Sequence, residues 1–392
     1  MKNLRQEILS LREELVALRR DFHLHPELGF QELETSDKIR RYLEALGLEV
    51  KSLAGTGVVG LLRGSRSGKT LMLRADMDAL PIQEENDLPY RSQRPGVMHA
   101  CGHDGHMAML LVAAKILAAR REELSGAVKF VFQPNEEVAG AGAMIEAGVL
   151  QDPAVDAALA LHLWSALETG TLGVGSGAVT ATLSVFELEI LGKGGHTAFP
   201  QEAIDPVVAA AAVVQAVQTI QTREISPQKP TVIMFGSIHG GAKANIVPES
   251  VRLSGSLRYL YEGGGKAEED LEGRFERIVK GVCAAHRTRY QLKFNLENRA
   301  VVNDPELVKR VRRCGQEVLG AAGRVVNYGC LAAEDFSEYC LRVPGVLSFL
   351  GTGNSSKGSN LPHHNPRFNI DEDSLPHGVE LHVRCALDFL GS

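Results

Sequence analysis

The sequence predicts an α/β protein of two domains, one built on a mostly parallel β-sheet and the other an inserted, ferredoxin-like α+β domain. Three observations predict this. The chain has 392 residues, more than one hydrophobic core usually supports. Strand-like apolar runs alternate with helical stretches between residues 71 and 164. The middle of the chain follows the order βαββαβ.

The alternating region supplies most of the predicted sheet domain. Its elements are a strand over 71–76, a helix over 105–124, a strand over 127–132, a helix over 141–147 and a strand over 157–163. Such alternation is typical of parallel strands whose connecting helices cover the sheet. After residue 301 the pattern returns, with a helix over 305–319, a strand over 345–350 and a closing amphipathic helix over 373–389.

The middle region predicts the inserted domain. Its elements are a strand over 183–191, a helix over 203–222, strands over 231–238 and 250–259, a helix over 267–286 and a strand over 290–296. This order is that of a ferredoxin-like domain. We therefore predict a sheet domain formed by residues 1–180 and 298–392, interrupted by a second domain over 181–297.

The composition is that of an ordinary globular protein, with 44% hydrophobic and 23% charged residues. The net charge of -6 provides no basic surface for phosphates, so nucleic acid is not an expected partner. No apolar run is long enough to cross a bilayer, and residues 1–20 lack the apolar core of a secretion signal. We therefore expect a cytoplasmic protein without a membrane partner. The 6 cysteines lack paired spacing, which argues against a disulfide framework.

Thiol, imidazole and carboxylate side chains are concentrated in segment 99–106, just before a predicted helix. The segment reads His-Ala-Cys-Gly-His-Asp-Gly-His, and these side chains are ligands of borderline divalent metals. Cys101 and His103 lie two residues apart on a looping stretch, so both can point to one side. A capped helix start would explain any one of these residues, but not their accumulation.

Two adjacent glutamates, Glu136 and Glu137, follow an apolar strand that Pro134 ends. Open α/β sheets bind ligands outside the carboxyl ends of their strands. Adjacent residues of an extended chain point in opposite directions. One glutamate can therefore bind a metal while the other acts as a base on water, although such a pair is also common on solvated surfaces.

Acidic and imidazole side chains recur at other predicted strand ends. Asp76 and Asp78 end the first strand, His162 ends the strand over 157–163, and His363 and His364 follow a glycine-rich loop. Each alone has a structural explanation as a cap or a core residue. Together they predict a metal site, where a divalent ion polarises a carbonyl while a glutamate moves a proton to the leaving amine. Metal-dependent hydrolysis of an amide is the predicted chemistry.

Two other chemistries have no support in the sequence. No Gly-x-x-x-x-Gly-Lys phosphate-binding loop is present, because the glycines of 192–195 lack its spacing. The stretch Gly175-Ser176-Gly177 is too short for a nucleophile elbow. Nucleotide chemistry and a serine nucleophile are therefore not expected.

The motifs resemble those of the metallo-aminoacylase and carboxypeptidase family, in particular the branch of auxin-conjugate amidohydrolases, hippurate hydrolase and N-acyl amino acid amidohydrolases. The resemblance covers nearly the whole chain. It rests on Arg-Arg-x-x-His-x-x-Pro-Glu-Leu from Arg19, Arg-Ala-Asp-Met-Asp-Ala-Leu-Pro from Arg74, His-Ala-Cys-Gly-His-Asp from His99, Gln-Pro-x-Glu-Glu from Gln133, Gly-Gly-His from Gly194 and His-Asn-Pro from His364. It implies a three-layer, zinc-peptidase-like catalytic domain and an inserted lid and dimerisation domain.

The resemblance also implies a paired site for two divalent ions, zinc, manganese, cobalt or nickel, with one ligand bridging them. The implied ligands are Cys101, His103, Glu137, His162 and His364. Glu136 would be the general base, and Asp78 would orient a ligand imidazole. His363 leaves an ambiguity of one residue, in which the His-Asn-Pro match favours His364.

In the inserted domain the resemblance implies three further site residues. His196 would polarise the scissile carbonyl, and the corresponding histidine of the family often reaches the partner subunit's site. Asn245 and Arg258 would hold the substrate carboxylate. A guanidinium fork suits a carboxylate geometrically. A role in lid packing is the alternative for all three. The resemblance further implies a homodimer or a higher homo-oligomer.

Three functions stay open. The first, which we favour, is hydrolysis of N-acyl amino acids, and the second is cleavage of short peptides by the same chemistry. The third is a metal-stabilised binding protein without catalysis, but structural zinc sites need no base beside them. The pair of Glu136 and Glu137 therefore argues against it. Gln201 stands where the family usually has histidine, and the loop over 138–141 lacks the usual glycine run. Substrate choice is accordingly open.

Overall fold

The computed structural model describes residues 4–261 and 270–391. The chain forms two compact units. The sheet unit comprises Met1–Val179, Val301–Gly329 and Glu334–Ser392. The inserted unit comprises Thr180–Ala300 and Cys330–Ala333. In the described ranges, no helix combines the length and the apolar character needed to span a bilayer.

The first part of the sheet unit begins with helices and then alternates strands with helices. Its elements are α1 (Leu4–Ser10), α2 (Arg12–Leu24), α3 (Leu33–Ala45), β1 (Glu49–Leu53), β2 (Gly57–Arg63), β3 (Arg66–Asp76), α4 (His103–Ala119), β4 (Ser125–Gln133), α5 (Ala141–Glu146), β5 (Ala157–Glu168), β6 (Thr171–Gly173) and β7 (Gly177–Ala178). Helix α4 ends before the predicted residue 124, because the charged stretch 121–123 forms a separate, exposed 3-10 turn.

The inserted unit follows the predicted βαββαβ order, with two short strands added. Its elements are β8 (Thr182–Leu191), β9 (Gly195–His196), α6 (Pro206–Ala216), β10 (Thr231–Gly240), β11 (Ile246–Val247), β12 (Ser250–Tyr259), α7 (Leu271–Ala285) and β13 (Arg289–Asn298). Helix α6 begins later than predicted because Asp205 caps it and accepts a hydrogen bond of 2.8 Å from the Val207 N–H. The first residues of the helix predicted over 267–286 lie outside the described residues.

The chain then returns to the sheet unit. The remaining elements are β14 (Val302–Asn303), α8 (Pro305–Leu319), β15 (Arg324–Val326), α9 (Ser337–Cys340), β16 (Gly345–Gly353) and α10 (Leu375–Leu390). Asp304 caps α8 by accepting hydrogen bonds from two backbone N–H groups of its first turn. The predicted strand over 345–350 is the first part of β16.

An eight-stranded sheet organises the sheet unit, in the order β1-β2-β4-β3-β5-β16-β6-β15. Strands β4, β3, β5 and β16 run parallel to their neighbours within this group, whereas the pairs β1–β2, β2–β4 and β16–β6 are antiparallel. The mostly parallel sheet predicted from the sequence is thus confirmed. Parallel strands end at a common edge, so Asp76 and Gln133 are direct neighbours in register.

Helix α4 is buried on all sides within the sheet unit. It packs against β3 and β5 and against helices α2 and α10. After its first turn the sequence is apolar on nearly every side, with Lys115 as the part-exposed exception, which is typical of a buried helix. The burial extends to the first turn, where the polar side chains of His103 and Asp104 are fully excluded from water. Polar groups in such a place need partners, and the site described below supplies them.

The inserted unit has its own antiparallel sheet, in the order β10-β12-β8-β13. Burial alternates along β8, so one face of the sheet is covered and the other is more open. Helices α6 and α7 pack against one another, and the fully buried rings of Phe186 and Phe275 lie 4.6 Å apart between centroids. This arrangement agrees with the predicted ferredoxin-like fold.

Candidate metal centre

The predicted metal ligands of the sheet unit converge at the carboxyl ends of the central strands. Cys101 and His103 flank Gly102, whose φ of +94° is a conformation that side chains with a Cβ rarely adopt. Pro134 ends β4, and Asn135, at φ +56°, then turns the chain into Glu136 and Glu137. Two local turns thus carry most of the donor atoms.

Cys101, His103 and His162 form the first group, in which the donor atoms lie within 4.8 Å of one another. The Nδ1–H of His103 donates to the carbonyl oxygen of Asp78 over 2.9 Å, and its Nε2 has no hydrogen-bond partner among the described residues. The Nδ1–H of His162 donates to the Leu163 carbonyl over 2.8 Å, which leaves Nε2 at 3.7 Å from Cys101 Sγ. Both imidazoles therefore present a lone pair to the same space.

Cys101, Glu137 and His364 form the second group, with the same limit of 4.8 Å between donor atoms. His364 Nε2 lies 3.3 Å from Glu137 Oε1. His364 adopts φ +64° while its backbone N–H donates to the carbonyl of Ala100 over 2.9 Å. Cys101 belongs to both groups, so its sulfur lies between them.

His363 faces the cluster differently from its neighbour. Its Nε2 accepts a hydrogen bond from the Ser165 N–H over 3.3 Å, and its ring stacks on Trp164 with centroids 4.3 Å apart. Its Nδ1 lies 3.7 Å from Cys101 Sγ. Burial lowers the pKa of His363 to about 3, so the ring is neutral at physiological pH. Because Nε2 accepts the hydrogen bond from Ser165, the neutral ring carries its proton on Nδ1, so neither nitrogen offers a metal a free lone pair and the ring fits a wall of the site.

Glu136 lies beside the first group. Its Oε2 is 4.0 Å from His103 Nε2. One carboxylate oxygen each of Glu136 and Glu137 and one ring nitrogen of His103 lie within 4.8 Å of one another. Burial raises the pKa of Glu136 well above its usual value, and the nearby carboxylates of Glu334, Asp335 and Glu137 raise it further. A carboxyl group that takes up a proton readily suits general acid–base chemistry.

Asp78 contacts both donor groups. Its carbonyl oxygen accepts the hydrogen bond from His103, and its Oδ1 lies 3.3 Å from the same Nδ1. Its Oδ2 accepts a hydrogen bond from the backbone N–H of Glu137 over 3.1 Å. Asp78 thus ties the two turns together, as expected of a carboxylate that orients ligands.

A buried network around Arg74 supports the strand ends, and we did not predict it from the sequence. The guanidinium donates to Asp76 over 2.6 Å, to Gln133 over 3.0 Å, to Glu334 over 3.1 Å and to Asp335 over 2.8 Å. The carboxylates outweigh burial and raise the pKa of Arg74 above its usual value. Glu334 and Asp335 had no recognisable pattern in the sequence, because they lie about 260 residues from Arg74.

The two remaining histidines of segment 99–106 are not members of the two groups that share Cys101. His106 Nδ1 donates to Asp76 over 2.5 Å, and its Nε2 accepts from the Leu163 N–H over 2.8 Å, so both nitrogens are used. His99 is buried, and burial lowers its pKa to about 3. Of the residues of this segment, the two predicted ligands, Cys101 and His103, belong to the two groups that share Cys101.

A second buried network fixes the start of α4. The carboxylate of Asp104 lies 2.8 Å from Arg19 Nε and 2.8 Å from His23 Nδ1. His23 Nε2 in turn lies 3.2 Å from Glu84. Burial opposes ionisation, but Arg19 and His23 lower the pKa of Asp104 well below its usual value. These partners hold the helix end that carries His103.

The three predicted lid residues belong to the inserted unit. His196 lies exposed on β9, and its Nδ1 accepts a hydrogen bond from the Ala198 N–H over 3.1 Å. The N–H of the residue after His196 donates to the carbonyl of Asn245 over 3.3 Å, so these two residues are neighbours. Arg258 lies on β12 and donates to the Leu331 carbonyl over 3.0 Å.

Comparison with known proteins gives matches along almost the entire chain. The model of peptidase family M20/M25/M40 matches residues 72–388. Thermostable carboxypeptidase 1 of Saccharolobus solfataricus is 38% identical, covering 99% of this chain and 98% of the relative. IAA-amino acid hydrolase ILR1-like 2 of Arabidopsis thaliana is also 38% identical, and the match covers 96% of this chain and 85% of the relative. The crystal structure of Bacillus subtilis YXEP protein, a dinuclear metal binding peptidase, matches with a TM-score of 0.85 at 32% identity. The match covers 97% of this chain and 99% of that one. These matches confirm the predicted family, the predicted fold class and the prediction that the protein is an enzyme that hydrolyses amide bonds.

Replacing Asp78 by alanine is expected to lower metal affinity about 10–100-fold, because two ligand-bearing turns lose a shared acceptor. Competition with a chromophoric chelator measures this affinity. Asp205→Ala is the control, since it removes a helix-capping aspartate of the inserted unit and is expected to leave metal affinity unchanged. Parent-like affinity in Asp78→Ala would show that Asp78 does not orient the ligands.

Proposed function

Because the chain belongs to peptidase family M20/M25/M40, we propose that it is a two-metal amidohydrolase that cleaves the amide bond of N-acyl amino acids. The observation that carries the proposal is a pair of donor groups that share Cys101, with Glu136 beside them. Together the two groups offer the imidazole, thiolate and carboxylate donors that zinc, manganese, cobalt and nickel accept.

The buried atoms of the site fit this assignment. His103 Nε2 and Glu137 Oε1 are buried without a hydrogen-bond partner among the described residues, although buried polar atoms are rarely left unpaired. Burial, and after it Glu137 and Glu136, raises the pKa of the Cys101 thiol. The thiol therefore gives up its proton only when cations lie beside it, and two divalent ions would supply that charge. Cys101, the donor common to both groups, would be the ligand that the two ions share.

Glu136 is proposed as the general base. The two groups would hold the ions, which would supply Lewis-acid polarisation of the scissile carbonyl and lower the pKa of bound water. Glu136 takes the proton of the attacking water and passes it to the nitrogen of the leaving amino acid. The C–N bond breaks, a C–O bond forms, and the products are a carboxylic acid and a free amino acid.

We propose that the inserted domain, predicted over residues 181–297, is the lid of the site. His196 would polarise the substrate carbonyl, and its exposure leaves the ring accessible. Asn245 and Arg258 would hold the substrate carboxylate. Arg258 uses Nη1 for the Leu331 carbonyl, and its planar fork carries further donors for a carboxylate.

The first experiment removes the metal ions with a chelator and restores them one kind at a time. Stripped protein is expected to lose turnover, and about two equivalents per chain should restore release of the amino acid from N-acetyl or N-benzoyl amino acids. A panel that also contains dipeptides measures the release. One equivalent for full activity would contradict the bridged pair, and no release from any substrate would contradict the proposed reaction.

A second candidate function is cleavage of short peptides, and the relative named thermostable carboxypeptidase 1 favours it. The same site chemistry serves both reactions, because both substrates present an amide next to a free carboxylate. The same panel separates them. If the protein prefers dipeptides to N-acyl amino acids, cleavage of short peptides replaces hydrolysis of N-acyl amino acids as the proposed function.

Substitutions of Glu136 and His196 separate chemistry from metal binding. Glu136→Gln is expected to lower turnover about 10²–10⁴-fold, and His196→Ala about 10²–10³-fold. Both variants should retain two ions per chain, measured by elemental analysis. Glu146→Gln, an exposed glutamate at the end of α5, is the control and should keep parental turnover. Full activity in either variant would remove that residue from the site.

We also propose a homodimer formed through the inserted unit. Large apolar side chains are exposed there, including Phe199 at 52%, Val208 at 53% and Met234 at 58%, and a partner subunit would cover them. Sedimentation velocity should give twice the 42.4 kDa mass of one chain. Val208→Lys should weaken the dimer, whereas Val138→Lys, exposed at 76% in the sheet unit, should not. A monomeric parent would contradict the proposal.

A further inference from the structure

A cavity of about 210 Å³ lies on the sheet unit between strands β1, β2 and β4 and the turn after α5. It shares no residue with the two donor groups of the metal centre. Pockets for drug-sized ligands usually span about 300–1,000 Å³, whereas one water takes about 30 Å³ of liquid volume. The cavity therefore suits a molecule larger than water and smaller than most drugs.

The strand register gives this cavity an apolar floor. Leu61 of β2 pairs with Lys129 of β4 on one side and with Glu49 of β1 on the other. Val59 lies two residues earlier and faces the same way, opposite Lys51. Val59 and Leu61 thus form the base of the cavity, and the charged side chains stand around it.

Lys129 is the unusual member of the lining. It is only 3% exposed, and its Nζ donates to the carbonyl oxygens of Val149, over 2.9 Å, and Gln151. It forms no ion pair within residues 4–261 and 270–391. Burial lowers the pKa of Lys129 to about 8. An ammonium has three donors, so the two carbonyl acceptors leave one donor of the Lys129 Nζ available.

The remaining charges leave the cavity positive. Arg63 and Glu49 pair with each other over 2.8 Å and so neutralise one another. Lys51 and Lys129 then face the single carboxylate of Asp152. A ligand that completes this site carries a negative charge at one end and an apolar body at the other.

We propose that the cavity is a second binding site, for a small organic carboxylate whose charged group contacts Lys129 and whose apolar body rests on Val59 and Leu61. The site is separate from the metal centre and does not depend on the proposed function. Occupancy satisfies the third donor of the buried ammonium and covers the apolar floor.

Methyl NMR of the metal-loaded protein tests this site with hexanoate as the probe. The methyl resonances of Val59 and Leu61 should shift with a saturable dependence on hexanoate, and hexanamide, the uncharged analogue, should bind at least about tenfold more weakly. The methyl groups of Leu163, next to His162, report binding at the metal centre. A shift confined to Leu163 would overturn the proposal, because the probe would then bind the metal centre alone.

Two variants assign the shifts to the cavity. Lys129→Met keeps the length of the side chain without its charge and should weaken hexanoate binding at least about tenfold. Ala147→Trp fills the cavity from its exposed rim, leaves Lys129 and its two carbonyl partners in place, and should abolish the shifts. Unchanged affinity in Ala147→Trp would overturn the site even if Lys129→Met proved unstable.

Discussion

The buried ion cluster around Arg74 is the interaction on which the rest of the site depends. One guanidinium, with a side chain only 2% exposed, meets the carboxylates of Asp76, Glu334 and Asp335. Removing one partner of a buried ion pair costs about 3–5 kcal/mol, whereas well-packed apolar replacements of the whole cluster often cost nothing. Stability alone therefore gives little reason for such a cluster. The cluster instead fixes the geometry of the site at the carboxyl ends of the parallel strands.

That geometry reaches both sides of the metal centre. On one side Asp76 holds His106, which in turn accepts the N–H of Leu163, next to His162. On the other side Asp335 accepts two hydrogen bonds from Gln133 and one from Ala141, and these residues bracket the turn that carries the two glutamates. Each strand end is thus held by the same buried cation, so the donor atoms are positioned by the protein itself.

The sequence was sufficient for features that are local and insufficient for those that join distant segments. Alternating strands and helices, the βαββαβ order and the Cys-Gly-His turn each occupy a short stretch, so they predicted the fold class and the ligand pair of Cys101 and His103. The full set of ligands was implied only by the resemblance to the family. Strands β1 and β2 were not predicted, because they are short or pair at the antiparallel edge of the sheet. Glu334 reaches Arg74 only through the tertiary fold, and no spacing in the sequence marks it.

The histidines show most clearly what the sequence lacks. Five imidazoles lie in the site, those of His103, His106, His162, His363 and His364, and residue type does not distinguish metal ligands from rings that only support them. Hydrogen bonding does, because a ring nitrogen binds metal only if its lone pair is free. In His103 and His162 the Nδ1–H donates to a backbone carbonyl, which fixes the tautomer and leaves Nε2 available. In His106 both nitrogens are already engaged, so this ring positions the strand that carries His162. The partners of each ring nitrogen, most of them backbone carbonyls and amides, therefore distinguish these rings, and the sequence does not show which backbone group lies beside which ring.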